Sequence, residues 1–311
     1  MRNTLWTPTY NRARFLPRLY ESVKNQTFKD FEWLIIDDGS TDDTKEVVQS
    51  FIDEGVVRIR YVYKENGGKH TAMKLAYDIC NTPYISSVDS DEELLPKAME
   101  LWENAWIDIE TSGKNDVARV CLFCQNEDGS CVGFGNYSLP RDVPYVEETW
   151  HELVLHHGCH RELAGSLCLK KFHECCDFDN YTWHSDTNRF LGESILWSAL
   201  GRKYKTRLVN GFSNVYHIDA DDSLMRAAAD KRKLLNEMVN NFYFVDENMS
   251  FFWWNPKYFI AAIGRYVIFG KMSGTDFSEQ HMPITNHRFK IMHVLLYLPF
   301  ILSDRIGLIK L

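Results

Sequence analysis

The chain reads as an α/β protein with a Rossmann-like, mostly parallel central sheet flanked by helices, and with a helical C-terminal extension. Three observations predict this. The apolar runs Phe31 to Ile36 and Tyr84 to Val88 each break at a pair of aspartates, the form of strands buried inside a parallel sheet. Stretches of helical period separate the strand-like runs at the spacing of β-α-β units. From Ser223 onward the apolar spacing is helical to the end.

In order, Leu5 to Thr9 is a short first strand that leads into Pro8-Thr9-Tyr10-Asn11-Arg12. Leu16, Leu19, Tyr20 and Val23 mark a helix over Leu16 to Asn25, because that spacing lines one helical face. After the second strand, Asp42 or Asp43 can cap a helix running to Phe51. Val56 to Tyr63 alternates as a third strand. Glu65 to His70 is a loop, and Thr71 to Cys80 a helix. Tyr84 to Val88 is the fourth strand, and Glu93 to Glu110 a helix with Pro96 in its first turn. Beyond Gly113, Val117 to Phe123 and Cys131 to Phe134 form a hairpin about Asp128-Gly129. Residues 140–190 are irregular and rich in His and Trp. Gly192 to Leu200 is a helix, followed by strands at Tyr204 to Val209 and Ser213 to Ile218. Three regions are expected: 1–110, 111–222 and 223–311.

With 311 residues, 45% hydrophobic and 25% charged, the chain can bury a sizeable core. A formal net charge of −8 argues against phosphate-backbone binding, so no nucleic acid partner is expected. The eight cysteines show no framework spacing and read as reduced thiols. Cys121 and Cys124 form a C-x-x-C inside a strand-like run, with no second pair to complete a zinc set. The first residues lack the apolar core of a secretory signal. The apolar run Ile291 to Leu302 contains Pro299 and is shorter than the roughly 20 residues that a bilayer needs. A cytoplasmic location is expected.

The chemistry gathers at strand ends, where open α/β sheets bind ligands. Asp37 and Asp38 close the second strand, and Asp42 and Asp43 already suffice for capping the next helix. Asp38 is therefore a candidate to accept hydrogen bonds from a base or ribose. Asp89-Ser90-Asp91 closes the fourth strand. Alternate residues of an extended segment point the same way, so both carboxylates can face one divalent cation that a substrate phosphate completes. The Gly67-Gly68-Lys69 loop offers backbone amides and an ammonium to a phosphate. It lacks the flanking pattern of a Walker loop.

Thr7-Pro8-Thr9-Tyr10-Asn11-Arg12, Gln26-Thr27-Phe28-Lys29-Asp30-Phe31-Glu32-Trp33, Ile36-Asp37-Asp38-Gly39-Ser40-Thr41-Asp42 and Val88-Asp89-Ser90-Asp91 succeed one another at set intervals. In that order they resemble the family 2 glycosyltransferases of GT-A fold, closely over residues 5–110 and more loosely to about 220. The resemblance implies an inverting, metal-dependent enzyme that uses Mg²⁺ or Mn²⁺ and a nucleotide-diphosphate sugar, typically a UDP-sugar. Its acceptor would be a hydroxyl of a glycan or lipid-linked molecule in cell-surface polysaccharide synthesis. Carried over, Thr9 and Tyr10 line the nucleobase pocket and Asp38 binds the uracil or ribose. Lys69 lies in the loop that approaches the nucleotide, Asp89 sits near the ribose and sugar, and Asp91 holds the metal.

The family's catalytic base is a carboxylate opening a helix after an irregular loop. Phe190-Leu191-Gly192-Glu193-Ser194-Ile195-Leu196-Trp197 resembles that segment and singles out Glu193, with Asp186 and Asp179 in reserve. An acid at a helix N-terminus is also favoured simply by the helix dipole. Lys203-Tyr204-Lys205-Thr206-Arg207 offers cations to a departing diphosphate. His217 falls where some GT-A enzymes place a metal-ligating histidine. Two features depart from the family: the apolar run before Thr7-Pro8 is short, and residues 150–180 match none of its motifs. In the C-terminal region, apolar and aromatic runs flanked by Lys271, Arg288, Lys290, Arg305 and Lys310 are a candidate for peripheral contact with the inner face of the plasma membrane. Two rivals stand beside this reading, a sugar nucleotidyltransferase and a catalytically degenerate nucleotide-sugar-binding module. The first is disfavoured because Thr7 to Arg12 lacks the Gly-rich basic loop of those enzymes.

Overall fold

A computed structural model describes residues 1–181, 192–217 and 231–305. The chain divides into two compact units, Met1–Cys176 with Leu200–Ser223, and Asp177–Ala199 with Leu224–Leu311.

The first unit is built on one nine-stranded sheet among the described residues. Strands β1 (Asn3–Thr9), β2 (Phe31–Asp37), β3 (Ile59–Tyr63) and β4 (Tyr84–Ser87) run parallel in the order β3-β2-β1-β4. Thr9 lies opposite Asp37, and Trp6 lies opposite both Leu34 and Ser87. The carboxyl ends of β1, β2 and β4 therefore lie side by side. The crossovers are helices α1 (Leu16–Lys24), α2 (Thr44–Glu54) and α3 (Lys69–Ile79).

Side chains alternate across β1 and β2, so each face of the sheet gets its own core. Leu5, Trp33 and Ile35 join Leu16, Leu19, Tyr20, Val23, Val48 and Phe51 of α1 and α2. Tyr20 and Phe51 stack there at 4.0 Å, and the Trp33 indole N–H donates to Thr7 Oγ1 at 2.9 Å. On the other face, Trp6 meets Tyr77 of α3 edge-on at 5.9 Å.

Beyond β4 the sheet continues through segments whose pattern was less legible. Strand β5 is Glu93–Leu94, where a helix was expected, and α4 begins only at Ala98 and ends at Thr111. The cause is local: a residue before proline is pushed out of the helical region, and Leu95 precedes Pro96. Leu94 N donates to Ser22 Oγ at 3.0 Å and Leu95 N to Ser213 O at 2.7 Å, which satisfies the extended segment. Strand β6 (Val117–Asn126) turns at Asp128-Gly129 as expected, with Asn126 N donating to Ser130 O at 2.7 Å. The short β7 (Gly133–Phe134) then leaves it and pairs with β9 (His160–Arg161).

Within 140–190, read as irregular, lie β8 (Tyr145–Glu148) and β10 (Leu163–Cys168), with the short helix α5 (Leu169–His173) after them. Strand β10 sits between β4 and β6, antiparallel to both. The two strands expected at 204–218 are one, β11 (Lys205–Tyr216), with register shifts between Leu208 and Asn214. It runs parallel to β6 and antiparallel to β5 and β8. The C-x-x-C does not assemble, because residues three apart on β6 face opposite ways: Cys124 belongs to the larger core and Cys121 to a separate cluster with Leu153, Cys159 and Leu208.

The second unit is helical among its described residues. Helix α6 (Glu193–Gly201) starts in it, followed by α7 (Lys231–Asn248), α8 (Pro256–Ser273), α9 (Phe277–His281) and α10 (His287–Arg305). Phe242, Tyr266 and Phe289 join α7, α8 and α10 through ring contacts. Gly264 lets α10 approach, since a Cβ there would sit 2.9 Å from the Phe300 ring. Gly192 N donates to Asn240 Oδ1 and Ser198 Oγ to Asn248 Oδ1, each at 2.9 Å, tying α6 to α7.

Candidate active site

The turns after β1 and β2 interlock. Asp38 N donates to Thr9 O at 2.8 Å. Asn11 takes a left-handed conformation at φ 53, which asparagine tolerates better than most residues. Its N–H donates to Ser40 Oγ and its Oδ1 accepts from Thr41 N, both at 2.8 Å. Arg12 N reaches Thr44 Oγ1 and Ala13 N reaches Asp42 Oδ2, each at 3.1 Å. Thr-Tyr-Asn-Arg and Asp-Asp-Gly-Ser-Thr-Asp are thus two halves of one folded rim. On it, Thr9 is only 2% exposed and its Oγ1 is buried with no hydrogen-bond partner among the described residues. Tyr10 is 47% exposed, with its ring open to solvent.

The paired aspartates divide their work. Asp37 turns back into the fold, accepting from Ser40 N at 2.8 Å and from the Tyr61 hydroxyl. Asp38 accepts from Gly67 N at 3.0 Å, from Gly68 N at 2.7 Å and from the Lys64 ammonium. It anchors the glycine loop, and three of the roughly four acceptor positions of a carboxylate are filled. Gly39 makes this possible. Its φ is 87, and a Cβ there would lie 2.7 Å from Asn66 N.

The glycine loop delivers Lys69, the first residue of α3, to the end of β4. Lys69 Nζ stands 2.8 Å from Asp89 Oδ1 and 2.9 Å from Oδ2. A continuous polar chain therefore runs from Asp38 through Gly68 and Lys69 to Asp89. Beside it, Arg18 donates to the Asp91 carbonyl at 2.7 Å. The Asp91 carboxyl is raised above the ordinary carboxylate range, by burial first and then by the charge on Asp89, against the pull of Arg12 and Lys69.

Sequence reasoning passed over the next residue. Glu92 is 8% exposed and accepts from Asn214 Nδ2 on β11 at 2.6 Å. Burial, and then Asp89, push its carboxyl up to about 8. Asn214 is 1% exposed, and its Oδ1 has no hydrogen-bond partner among the described residues. The signal was present in Asp89-Ser90-Asp91-Glu92-Glu93, a run with more acids than a two-carboxylate cation site needs. Arg18 and Lys64 were missed as well, because nothing in their spacing separates them from surface cations.

His217 lies just past β11, with Nδ1 2.6 Å from Glu127 Oε1 and Nε2 3.3 Å from Glu93 Oε2. Val215 pairs with Glu93, so His217 belongs to the neighbourhood of the acidic run. Glu193 lies in the other unit, half-buried at the first turn of α6. Asp179 is exposed there and donates its N–H to Asp177 Oδ1 at 2.9 Å, and Asp186 lies outside the described residues. Among the cations considered for a departing diphosphate, Arg207 is committed elsewhere. It is 1% exposed, pairs with Asp108 and Glu147, and lies 4.0 Å from the centroid of the Tyr145 ring.

The donor set fits a hard divalent cation. Two neighbouring carboxylates, one carrying a burial penalty and a like-charge penalty, are relieved by a cation between them. Oxygen ligands with room left for phosphate and water suit Mg²⁺ or Mn²⁺. The set is open: among the described residues no three His, Cys, Asp or Glu side chains converge as a cage.

Comparison with known proteins bears on the family and the fold. The sequence profile described as "Glycosyl transferase family 2" matches residues 4–113, the stretch containing β1 to β5 and α1 to α4. A chondroitin synthase of Escherichia coli is 30% identical over 158 residues, covering 50% of this chain and 21% of that protein. A GalNAc(5)-diNAcBac-PP-undecaprenol beta-1,3-glucosyltransferase of Campylobacter jejuni is 38% identical over 98 residues, 30% of either chain. The matched stretches thus span a third or less of these relatives' lengths. Among solved structures, S. aureus TarS 1-349 in complex with UDP-GlcNAc covers 99% of this chain and 92% of its own at 14% identity, with a TM-score of 0.59. The mannosyltransferase PcManGT from Pyrobaculum calidifontis, in complex with GDP-Man and Mn2+, covers 96% and 87% at 14% identity, with a TM-score of 0.52. These likenesses establish the GT-A fold. Residues 4–113, which hold the interlocked strand-end motifs, match glycosyl transferase family 2 and mark this part of the chain as a domain of that family.

Proposed function

We propose that the protein is an inverting, divalent-cation-dependent glycosyltransferase. It moves a sugar from a nucleotide-diphosphate donor, a UDP-sugar, to a hydroxyl of a glycan or lipid-linked acceptor in cell-surface polysaccharide synthesis. The observation that carries the reading is the polar chain from Asp38 through Gly68 and Lys69 to Asp89, with Asp91 beside it. The named relatives support the acceptor class, and the UDP-GlcNAc and GDP-Man complexes of similarly folded proteins support the donor class.

In this reading Tyr10 stacks on the nucleobase, and the unpartnered Thr9 Oγ1 gains a hydrogen bond from the base or ribose. Asp38 uses its remaining acceptor position for the same group. Asp91 and Asp89 would hold Mg²⁺ or Mn²⁺, with His217, paired with Glu127 and Glu93, the further candidate ligand beside them. When bound, the cation supplies Lewis-acid stabilisation of the diphosphate. Lys69 exchanges its ion pair with Asp89 for the donor's phosphate oxygens, which keeps the diphosphate oriented. Glu193 takes the proton of the acceptor hydroxyl as its oxygen bonds to the anomeric carbon. The bond to the diphosphate oxygen breaks on the opposite face, and its electron pair leaves with the nucleotide.

Product analysis with a panel of UDP- and GDP-sugars and Mn²⁺ tests this. The expected product has inverted anomeric configuration. Glu193→Gln should lower kcat by about 10²- to 10⁴-fold with donor affinity kept. A retained configuration, or a Glu193→Gln enzyme of full rate, would contradict the assignment. Tight donor binding without turnover, whatever acceptor is supplied, would favour a degenerate binding module.

A further inference from the structure

Helix α10 turns an apolar face to solvent. Ile291, Val294, Leu295, Leu298 and Leu302 are 48%, 54%, 67%, 66% and 58% exposed. Their spacing places them on one side of the helix, a stripe of about 17 Å at the helical rise. The opposite side is already occupied, with Phe289 and His293 fully buried. The stripe is therefore surplus to the packing of its own unit, and contiguous apolar surface of this kind marks a contact site.

Charge tells what covers it. From His287 to Leu302 the helix contains no acidic residue, while His287, Arg288 and Lys290 stand in its first turn. Arg288 and Lys290 are thus the ionised side chains of this stretch on a chain whose net charge is −8, with Asp246 accepting from Thr285 and Asn286 just before it. Arg288 is exposed and lies seven residues before Leu295, so it belongs to the same side as the stripe. Aromatic residues stand toward the other end. Helix α8 runs antiparallel to α10, with Gly264 at Phe300 and Tyr266 at His293. Just before α8, Trp253 and Trp254 are 76% and 46% exposed. An apolar stripe with cationic and aromatic residues at its ends is the composition of an interfacial helix.

Pro299 sets the depth. It is exposed and inside α10, so the Leu295 carbonyl loses its helical donor. Deep burial in hydrocarbon would leave that carbonyl unpaired. The hydrated headgroup layer leaves water within reach of it. Among the described residues no helix is long and apolar enough to cross a membrane.

We infer that the exposed face of α10 docks on an anionic bilayer surface, with Leu295 and Leu298 at the acyl boundary and Arg288 and Lys290 among the headgroups. The inference extends the lipid-linked acceptor reading. It is tested without donor or acceptor, so its failure leaves the transfer reading standing.

The test is vesicle flotation of the full chain, using phosphatidylcholine alone and an equal mixture with phosphatidylglycerol. Binding to the mixed vesicles is expected, stronger than to the neutral ones and weakened by salt. Arg288→Glu with Lys290→Glu should lower the anionic preference by at least roughly 20-fold. Leu295→Glu with Leu298→Glu should weaken binding by more than about tenfold. Both positions are exposed, and unchanged circular dichroism and melting would establish that these variants fold. No flotation of the wild type, or equal flotation of the Leu→Glu variant, overturns the inference. So does a wild-type dimer that these substitutions dissociate while vesicles fail to bind, which would assign the face to a second copy.

Discussion

Asp89 and Asp91 form the acidic pair at the end of β4, and each has a different neighbour. Lys69 neutralises Asp89, whereas Asp91 bears burial and the Asp89 charge together. Asp91→Asn is expected to abolish the dependence of donor binding on Mn²⁺ while leaving the fold intact, read by titrating donor affinity against the cation. An unchanged Mn²⁺ dependence would exclude Asp91 as the ligand. Asn214 acts one step further out, through Glu92. Asn214→Ala leaves the Glu92 carboxyl buried without its donor and should lower stability by about 1–3 kcal/mol, read by urea unfolding; an unchanged midpoint would be the contrary result. Asp38, Asp89 and Asp91 stood out as candidates because they follow predicted strands, and Lys69 because it follows two glycines; that Lys69 opens α3 was not legible. Glu92 and Asn214 did not stand out, since their partnership joins residues 122 apart through the pairing of β5 with β11, which no local pattern announces.

Elements became legible in proportion to how much of their environment they carry themselves. Strand β2 is an apolar run, β3 alternates, β1 and β4 carry shorter apolar stretches, and all four lie within a few residues of their expected places. Strand β10 reads Leu-Ala-Gly-Ser-Leu-Cys, small residues with no alternation, because its neighbours supply the bulk. A Cβ at Gly165 would sit 2.9 Å from Arg119 Nε, and Ser166 Oγ accepts from the Trp106 indole at 2.9 Å. The turn after β2 makes a sharper demand. Gly39→Ala must hold a left-handed φ and displace Asn66, a strain of about 1–3 kcal/mol. A lower melting temperature and weaker UDP binding together are expected, and an unchanged melting temperature would be the contrary result. On β11, Arg207 is buried between Asp108 and Glu147. Arg207→Met leaves Glu147 with Lys114 as its remaining ion-pair partner and should cost on the order of 3 kcal/mol, measured by urea unfolding.

Across the molecule, the sheet-based unit and the helical unit answer to different chemistry. In the helical unit His293 is fully buried against Tyr266, Phe289 and Tyr297, with Nδ1 3.1 Å from His281 Nδ1. Burial first, and His281 second, lower its pKa to about 4. The unfolded imidazole titrates near about 6.5, so between those values the unfolded chain binds the extra proton. Stability should therefore fall on acidification through that window, by on the order of 2 kcal/mol. His293→Phe should flatten this acid dependence in denaturant melts, and an identical pH profile would contradict the assignment. The general architecture and the family were legible from apolar runs and strand-end acids. The division into units was not, because Asp177–Ala199 joins the helical unit from the middle of the chain. The most direct test of the central claim is calorimetric titration of UDP into the wild type and the Asp38→Asn and Asp91→Asn variants, with and without Mn²⁺. Cation-supported binding in the wild type, weakened in both variants, is the expected result. Equal UDP affinity in all three proteins, with or without Mn²⁺, would contradict a donor pocket built at the ends of β1, β2 and β4.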